Sequence, residues 1–105
     1  MPKKGPSEHE TQGQILDWLK HRHIFHYRQN TGGAKFKGYY VKFGIPGAPD
    51  IVAVVRGRFI GIEVKKAGEE LSNKQADFKL ALEAAGGCYI RAYSVKDVEE
   101  AFALS

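Results

Sequence analysis

Two apolar runs limit this chain most: "DIVAVV" (50–55) and "RFIGIEV" (58–64), with only Arg56 and Gly57 between them. Runs of this length, rich in Val, Ile and Phe and split by two residues, predict a β-hairpin. Both neighbours of Glu63, Ile62 and Val64, are β-branched and apolar, and the opposite strand is "IVAVV". Both faces of these strands are therefore expected to be covered, as in the central strands of an α/β sheet. Yet the same segment carries Asp50, Glu63 and, just beyond, Lys65. Burying a charge is costly unless it is paired, hydrogen-bonded or bound to a metal.

Strand parity brings the three together. With Arg56-Gly57 as a two-residue turn, Val55 faces Arg58 and the pairing runs back to set Asp50 opposite Glu63. Residues directly opposite share a face with Cβ atoms ~5 Å apart, and Lys65 joins them by the period of two. A one-residue slip would send Asp50 and Glu63 to opposite faces; a two-residue slip, or a bulge restoring parity, would keep them together. Two carboxylates that close repel each other unless a cation sits between them. A hard divalent ion relieves this, and Mg²⁺ commonly takes one or two carboxylates plus water and phosphate. Lys65 beside it would hold a water or stabilise negative charge on a phosphate. The set suits metal-assisted phosphodiester hydrolysis. The plainer alternative makes Asp50 a strand cap and Glu63–Lys65 a surface pair on an edge; the apolar flanks argue against it.

At 105 residues the chain is expected to form one domain, residues 7–105, behind a flexible basic tail, residues 1–6. No run of ~18 apolar residues suggests a membrane span, and "MPKKGPSEHE" lacks the apolar stretch of a signal peptide. An intracellular protein is expected, in the cytoplasm of a bacterial or phage-infected cell. The single cysteine, Cys88, excludes an internal disulfide and a cysteine-based zinc cluster and reads as a small buried hydrophobe. Net charge is +4, unevenly spread: residues 1–49 hold eight Lys/Arg against three acids, residues 50–105 eight against nine. A basic half beside a neutral one points to a polyanionic partner.

Along the chain, "SEHETQGQILDWLKHRH" predicts a helix with Ser7 as N-cap and Glu10 as its capping-box partner. "IFHYRQN" (24–30) predicts a short strand. The glycine-rich stretch 31–49 predicts a loop, with "YYVKF" (39–43) as an optional strand. After the hairpin come a helix over 72–86 capped by Ser72, a strand "CYIRAY", and a closing helix "SVKDVEEAFALS" with Ser94 and Asp97 as capping pair. The order is α-β-(β)-β-β-α-β-α, and the strand-helix-strand unit implies a parallel pair.

Pro49-Asp50 … Glu63-Val64-Lys65 resembles the PD-(D/E)xK nuclease motif. The segments "SEHETQGQILDWL", "YRQNTGG", "GIPGAPDIVAV", "GRFIGIEVKK", "LSNKQADFKLALEAAGG" and "SVKDVEEAF", in that order, resemble the VRR-NUC (virus-type replication-repair nuclease) family, in its small stand-alone phage and bacterial form. The resemblance spans about residues 7–103. It implies a restriction-endonuclease-like core, a mixed central sheet flanked by helices. It also implies Mg²⁺, with Mn²⁺ able to substitute, bound by Asp50, Glu63 and the backbone carbonyl of Val64. Lys65 takes the family's lysine role near the attacking water. A first-helix glutamate joins the site in many relatives: Glu8, in line with Thr11, Gln12, Ile15 and Leu19, is favoured over Glu10. Gln75 matches a glutamine beside the family's active site, although Ser72-x-x-Gln75 is equally a capping box.

For DNA contact, "GGAKFKGYYVK" mixes Lys35, Lys37 and Lys42 with Phe36, Tyr39 and Tyr40, and Arg28 stands just before it. Lysines suit phosphates and aromatics suit exposed bases at a distorted junction; equally, Tyr40 and Phe43 read as core and the lysines as a solvated rim. His9, His21, His23 and His26 lie in no metal-binding pattern. The resemblance alone implies branched DNA such as a four-way (Holliday) junction, and a homodimer to cut its two strands. The alternatives are a phage nuclease for flaps or other substrates, a nickase, or a DNA-binding module without catalysis.

Overall fold

A computed structural model describes residues 5–29 and 32–103 of the chain. The first helix, α1 (Glu8–His21), starts where Ser7 accepts a 3.1 Å hydrogen bond from the Glu10 amide and donates one to the Glu10 carboxylate. Its buried residues are Thr11, Ile15 and Leu19, the stripe expected from helical spacing. Strand β1 (Phe25–Arg28) follows, shorter than the predicted run; Asn30 lies outside the described residues.

The glycine-rich stretch departs from expectation. It holds two strands, β2 (Gly32–Phe36) and β3 (Tyr39–Phe43), paired antiparallel as a separate two-stranded sheet. Lys37 (φ 49°) and Gly38 (φ 83°) form the turn. Positive φ at both positions matches the right-handed twist of the flanking strands, so a tight hairpin forms where glycine content alone reads as loop.

The central hairpin follows as β4 (Ile51–Val55) and β5 (Arg58–Val64), with Val55 facing Arg58 and Ile51 facing Ile62. That is the predicted register. Arg56 (φ 52°) and Gly57 (φ 78°) make another turn with positive φ at both positions. Then come α2 (Asn73–Ala84), β6 (Cys88–Ala92) and α3 (Val95–Ala103). The main sheet runs β1-β4-β5-β6, antiparallel except for the parallel β5–β6 pair, as the crossover through α2 requires. The whole is a mixed α/β sheet flanked by helices.

Parity divides the sheet into two unlike faces. Ile51, Ala53, Ile60, Ile62, Val64, Ile90 and Ala92 point to one face and pack with Ile15 and Leu19 of α1 and Val98 of α3. Cys88 only borders this core and is half-buried, not buried as expected. The closing helix begins with Asp97 accepting from the Tyr93 amide at 2.8 Å, so the cap is made to Tyr93 instead of to the expected Ser94. No residue of α2 is fully buried; it is held by its ends and by Phe78 against Tyr89, ring centroids 5.9 Å apart. Among the described residues no helix is long and apolar enough to cross a membrane.

Candidate active site

The second face of the sheet carries the polar set. Extending the Ile51–Ile62 pairing by one step sets Asp50 against Glu63, on the face opposite the Ile51–Ile62 core. Asp50 leaves the ladder at the start of β4: its Oδ2 accepts a 2.9 Å hydrogen bond from the Val64 amide, while its carbonyl accepts from the Gln29 amide at 2.7 Å. Both bonds fix the carboxylate beside β5. Glu63 is 6% exposed and, with Thr11, is one of two buried polar residues among those described. Its carboxyl is pushed up to about 8, first by burial, then by the charge of Asp50, which lies within hydrogen-bonding reach. Lys65 acts in the opposite sense, so its charge lies within electrostatic range of the same carboxylate. The residue pairs along β6 at its own amide, which donates to the Ala92 carbonyl at 3.0 Å.

Glu8 also raises Glu63, which places its charge within range of the site although α1 packs on the other face. Glu10 is engaged with Ser7. Gln75 completes the capping box: its Oε1 accepts from the Ser72 amide at 2.8 Å and its own amide donates to Ser72 Oγ at 3.2 Å. Capping thus accounts for its carbonyl oxygen. Arg28 pairs with Ile51, and parity sets it on the core face, away from the carboxylates. Lys35, Lys37 and Tyr39 lie on the β2–β3 hairpin, exposed and apart from the carboxylate cluster; the side chain of Lys42 lies outside what the structure describes.

Three residues that sequence reasoning passed over shape the site. Tyr89 pairs with Gly61 on β6 and so shares the face of Glu63. Its hydroxyl donates to the Gly47 carbonyl at 3.2 Å, and burial together with the charges of Glu63 and Asp50 drives its phenol far above the ordinary range. Gly47, at φ 82°, lies so close to α2 that a Cβ would stand 2.1 Å from the Lys74 carbonyl oxygen. Gly61 is covered by Pro49, whose ring would stand 2.6 Å from a Cβ there. The loop before Asp50 is thereby clamped between α2, Tyr89 and the floor of β5. The one available signal was Gly61, since an isolated glycine inside a strand marks close approach by another part of the chain.

The donor set is one of hard oxygen ligands. Among the described residues no group of three or more His, Cys, Asp or Glu side chains is placed to hold a metal ion. Two carboxylates converge instead, the number that Mg²⁺ commonly takes from protein side chains. The residues present therefore fit a divalent cation completed by backbone, water or phosphate oxygens.

A mixed sheet with carboxylates at the adjoining ends of two strands and a lysine two residues on defines a class, the PD-(D/E)xK-like α/β fold. Within it, the chain is similar in structure to a "VRR_NUC domain protein", with a TM-score of 0.66 and 21% identity over 97% of this chain and 89% of that one. The likeness is one of fold. No family model and no curated protein matches the sequence.

Proposed function

We propose that this chain is a divalent-metal-dependent endonuclease of the VRR-NUC type that hydrolyses phosphodiester bonds in branched DNA. One observation carries the reading: Asp50, Glu63 and Lys65 share one corner of the sheet, with Glu63 buried and its ionised form disfavoured by Asp50. A structural core has no use for such a pair, whereas a cation-dependent site does. The structural likeness to a VRR_NUC domain protein and the sequence resemblance support DNA hydrolysis over other phosphodiester chemistry.

In this reading Asp50, Glu63 and the Val64 carbonyl hold Mg²⁺, or Mn²⁺ in its place. The bound cation would neutralise phosphate charge and acidify a water. Asp50 is oriented by the Val64 amide, so its second oxygen faces the site. Lys65, whose charge acts on Glu63, would offer a hydrogen bond to the attacking water or to the phosphate. Glu8 adds negative charge from α1. Tyr89 and the 44–49 loop close one side against solvent. One such site makes one cut, so symmetric resolution of a four-way junction calls for a homodimer with two-fold symmetry.

The test is cleavage of a labelled four-way junction, a flap and a linear duplex with Mg²⁺, with Mn²⁺ and with EDTA. Asp50→Ala, Glu63→Ala and Lys65→Ala should each lower the rate by ~10²-fold or more. Preference for flap over junction would redirect the substrate assignment to the flap-type alternative. A wild-type protein that leaves all three substrates intact with either metal would end the reading.

A further inference from the structure

The β2–β3 hairpin is two-faced. Cross-strand partners are Phe36–Tyr39, Lys35–Tyr40 and Ala34–Val41. Partners share a face and alternate positions share it too. Phe36, Tyr39, Ala34 and Val41 therefore make one apolar face, and Lys35 with Tyr40 the other. The tip rings are well exposed, Phe36 at 56% and Tyr39 at 76%. A lone two-stranded hairpin is marginal in water and has little reason to display two adjacent rings at its tip unless something covers them. Phe25 and Tyr27, edge to face at 6.5 Å, form a second exposed aromatic pair, on the carboxylate face of β1.

Charge settles which occupant fits. From residue 18 to residue 49 the sequence contains no Asp or Glu, while Lys20, Arg22, Arg28, Lys35, Lys37 and Lys42 all fall there. An aromatic surface inside an acid-free, basic stretch complements a polyanion that also offers flat apolar faces. Unpaired nucleotides have both properties, and base–aromatic stacking does not depend on sequence.

The hairpin also springs from the site. β1 ends one residue before Gln29, whose amide bonds the Asp50 carbonyl, and β3 ends at Phe43, seven residues ahead of Asp50. Five residues per strand at ~3.3 Å each give a reach of ~17 Å, about five nucleotides at ~3.4 Å per phosphate along one strand.

We infer that the hairpin is a probe for unpaired nucleotides: Phe36 and Tyr39 stack on a base exposed at the branch point, within about five nucleotides of the cut bond, while Lys35 and Lys37 hold the backbone. The inference rests on the DNA-cleaving reading above and adds what selects the branch.

Its test is binding of metal-free protein to a four-way junction and to a fully paired duplex, followed by anisotropy. A 2-aminopurine at the branch point reports stacking. The doubly substituted Phe36→Ala, Tyr39→Ala protein should lose roughly tenfold in junction affinity, less than about threefold on duplex, and the 2-aminopurine response. Phe36→Leu with Tyr39→Leu, which keeps apolar area but removes the rings, should lose the same response. Lys35→Ala with Lys37→Ala should weaken both substrates alike and flatten the salt dependence. Tip variants that bind the junction as the wild type does, while the wild type still binds and cuts it, would overturn this inference alone. The same follows if the leucine variant keeps the response, or if the alanine variant only loses self-association in sedimentation. A wild type that binds no DNA would remove the parent reading as well.

Discussion

Glu63→Gln keeps the shape of the side chain and removes its charge, so it isolates what that buried charge does to the fold. The Glu63 carboxyl titrates at about 8 in the folded chain, against 4.5 for an ordinary glutamate. A raised folded value means that the folded state binds the proton more tightly than the unfolded one. Stability is therefore whole below pH 4.5 and declines as pH rises through 8. The full displacement corresponds to ~4–5 kcal/mol at ~1.36 kcal/mol per pH unit. Water at the mouth of the site screens part of it and leaves ~1–3 kcal/mol. In a domain of this size each kcal/mol moves the melting midpoint by roughly 4–8 °C. In EDTA at about pH 9, on this linkage argument, the Glu63→Gln protein should melt roughly 5–20 °C above the wild type, and near pH 4.5 the two should converge. Millimolar Mg²⁺ or Mn²⁺ should raise the wild-type midpoint at the higher pH and barely move the variant. Thermal melts by circular dichroism across pH decide it. A Glu63→Gln protein that melts at or below the wild type in EDTA at alkaline pH would refute the view of Glu63 as a charge waiting for a cation.

Three further outcomes follow from the geometry. Gly47→Ala puts a Cβ into the Lys74 carbonyl at φ 82°, and urea denaturation should show a loss of ~2–4 kcal/mol with cleavage lost alongside. Tyr89→Phe keeps the contact with Phe78 but frees the Gly47 carbonyl; calorimetry should find weaker Mn²⁺ binding, with ~0.5–1.5 kcal/mol of stability lost in denaturant. Arg56→Asn, at a turn position with φ 52°, should stabilise by ~0.5–1 kcal/mol in the same assay, because asparagine tolerates that conformation better.

What could be read from sequence was whatever depends on neighbours along the chain. The register of β4 with β5 was legible because two residues leave a hairpin little choice, even with Arg56 in a position that favours asparagine or glycine. The stripe of Thr11, Ile15 and Leu19 and the caps at Ser7 and Ser72 were legible for the same reason. Strand β2 was not, because Gly32 and Gly33 read as breakers and only the Lys37-Gly38 turn makes "GGAKF" a strand. Tyr89 was invisible as part of the site: its place beside Glu63 depends on the parallel register of β5 with β6, set by a crossover 23 residues long between Val64 and Cys88. The close fits of Pro49 on Gly61 and of Gly47 on α2 are likewise facts of three dimensions. Which face Arg28 takes was likewise not legible: it stands near the site in sequence, and only its pairing with Ile51 sets it on the face opposite the carboxylates.

The shallow seating of α2 has a kinetic corollary. A helix with no fully buried residue opens locally at a small fraction of the free energy that unfolds the core, so its amides should exchange with solvent well ahead of those in β5. Its first turn is also the wall against which Gly47 rests, and Gly47 leads directly into Asp50. Brief fraying at Ser72 would thus release the strand-entry aspartate while Ile51, Ile62 and Val98 stay packed. On that basis the hydrophobic slab should outlast the carboxylate corner, which would open on its own, faster clock.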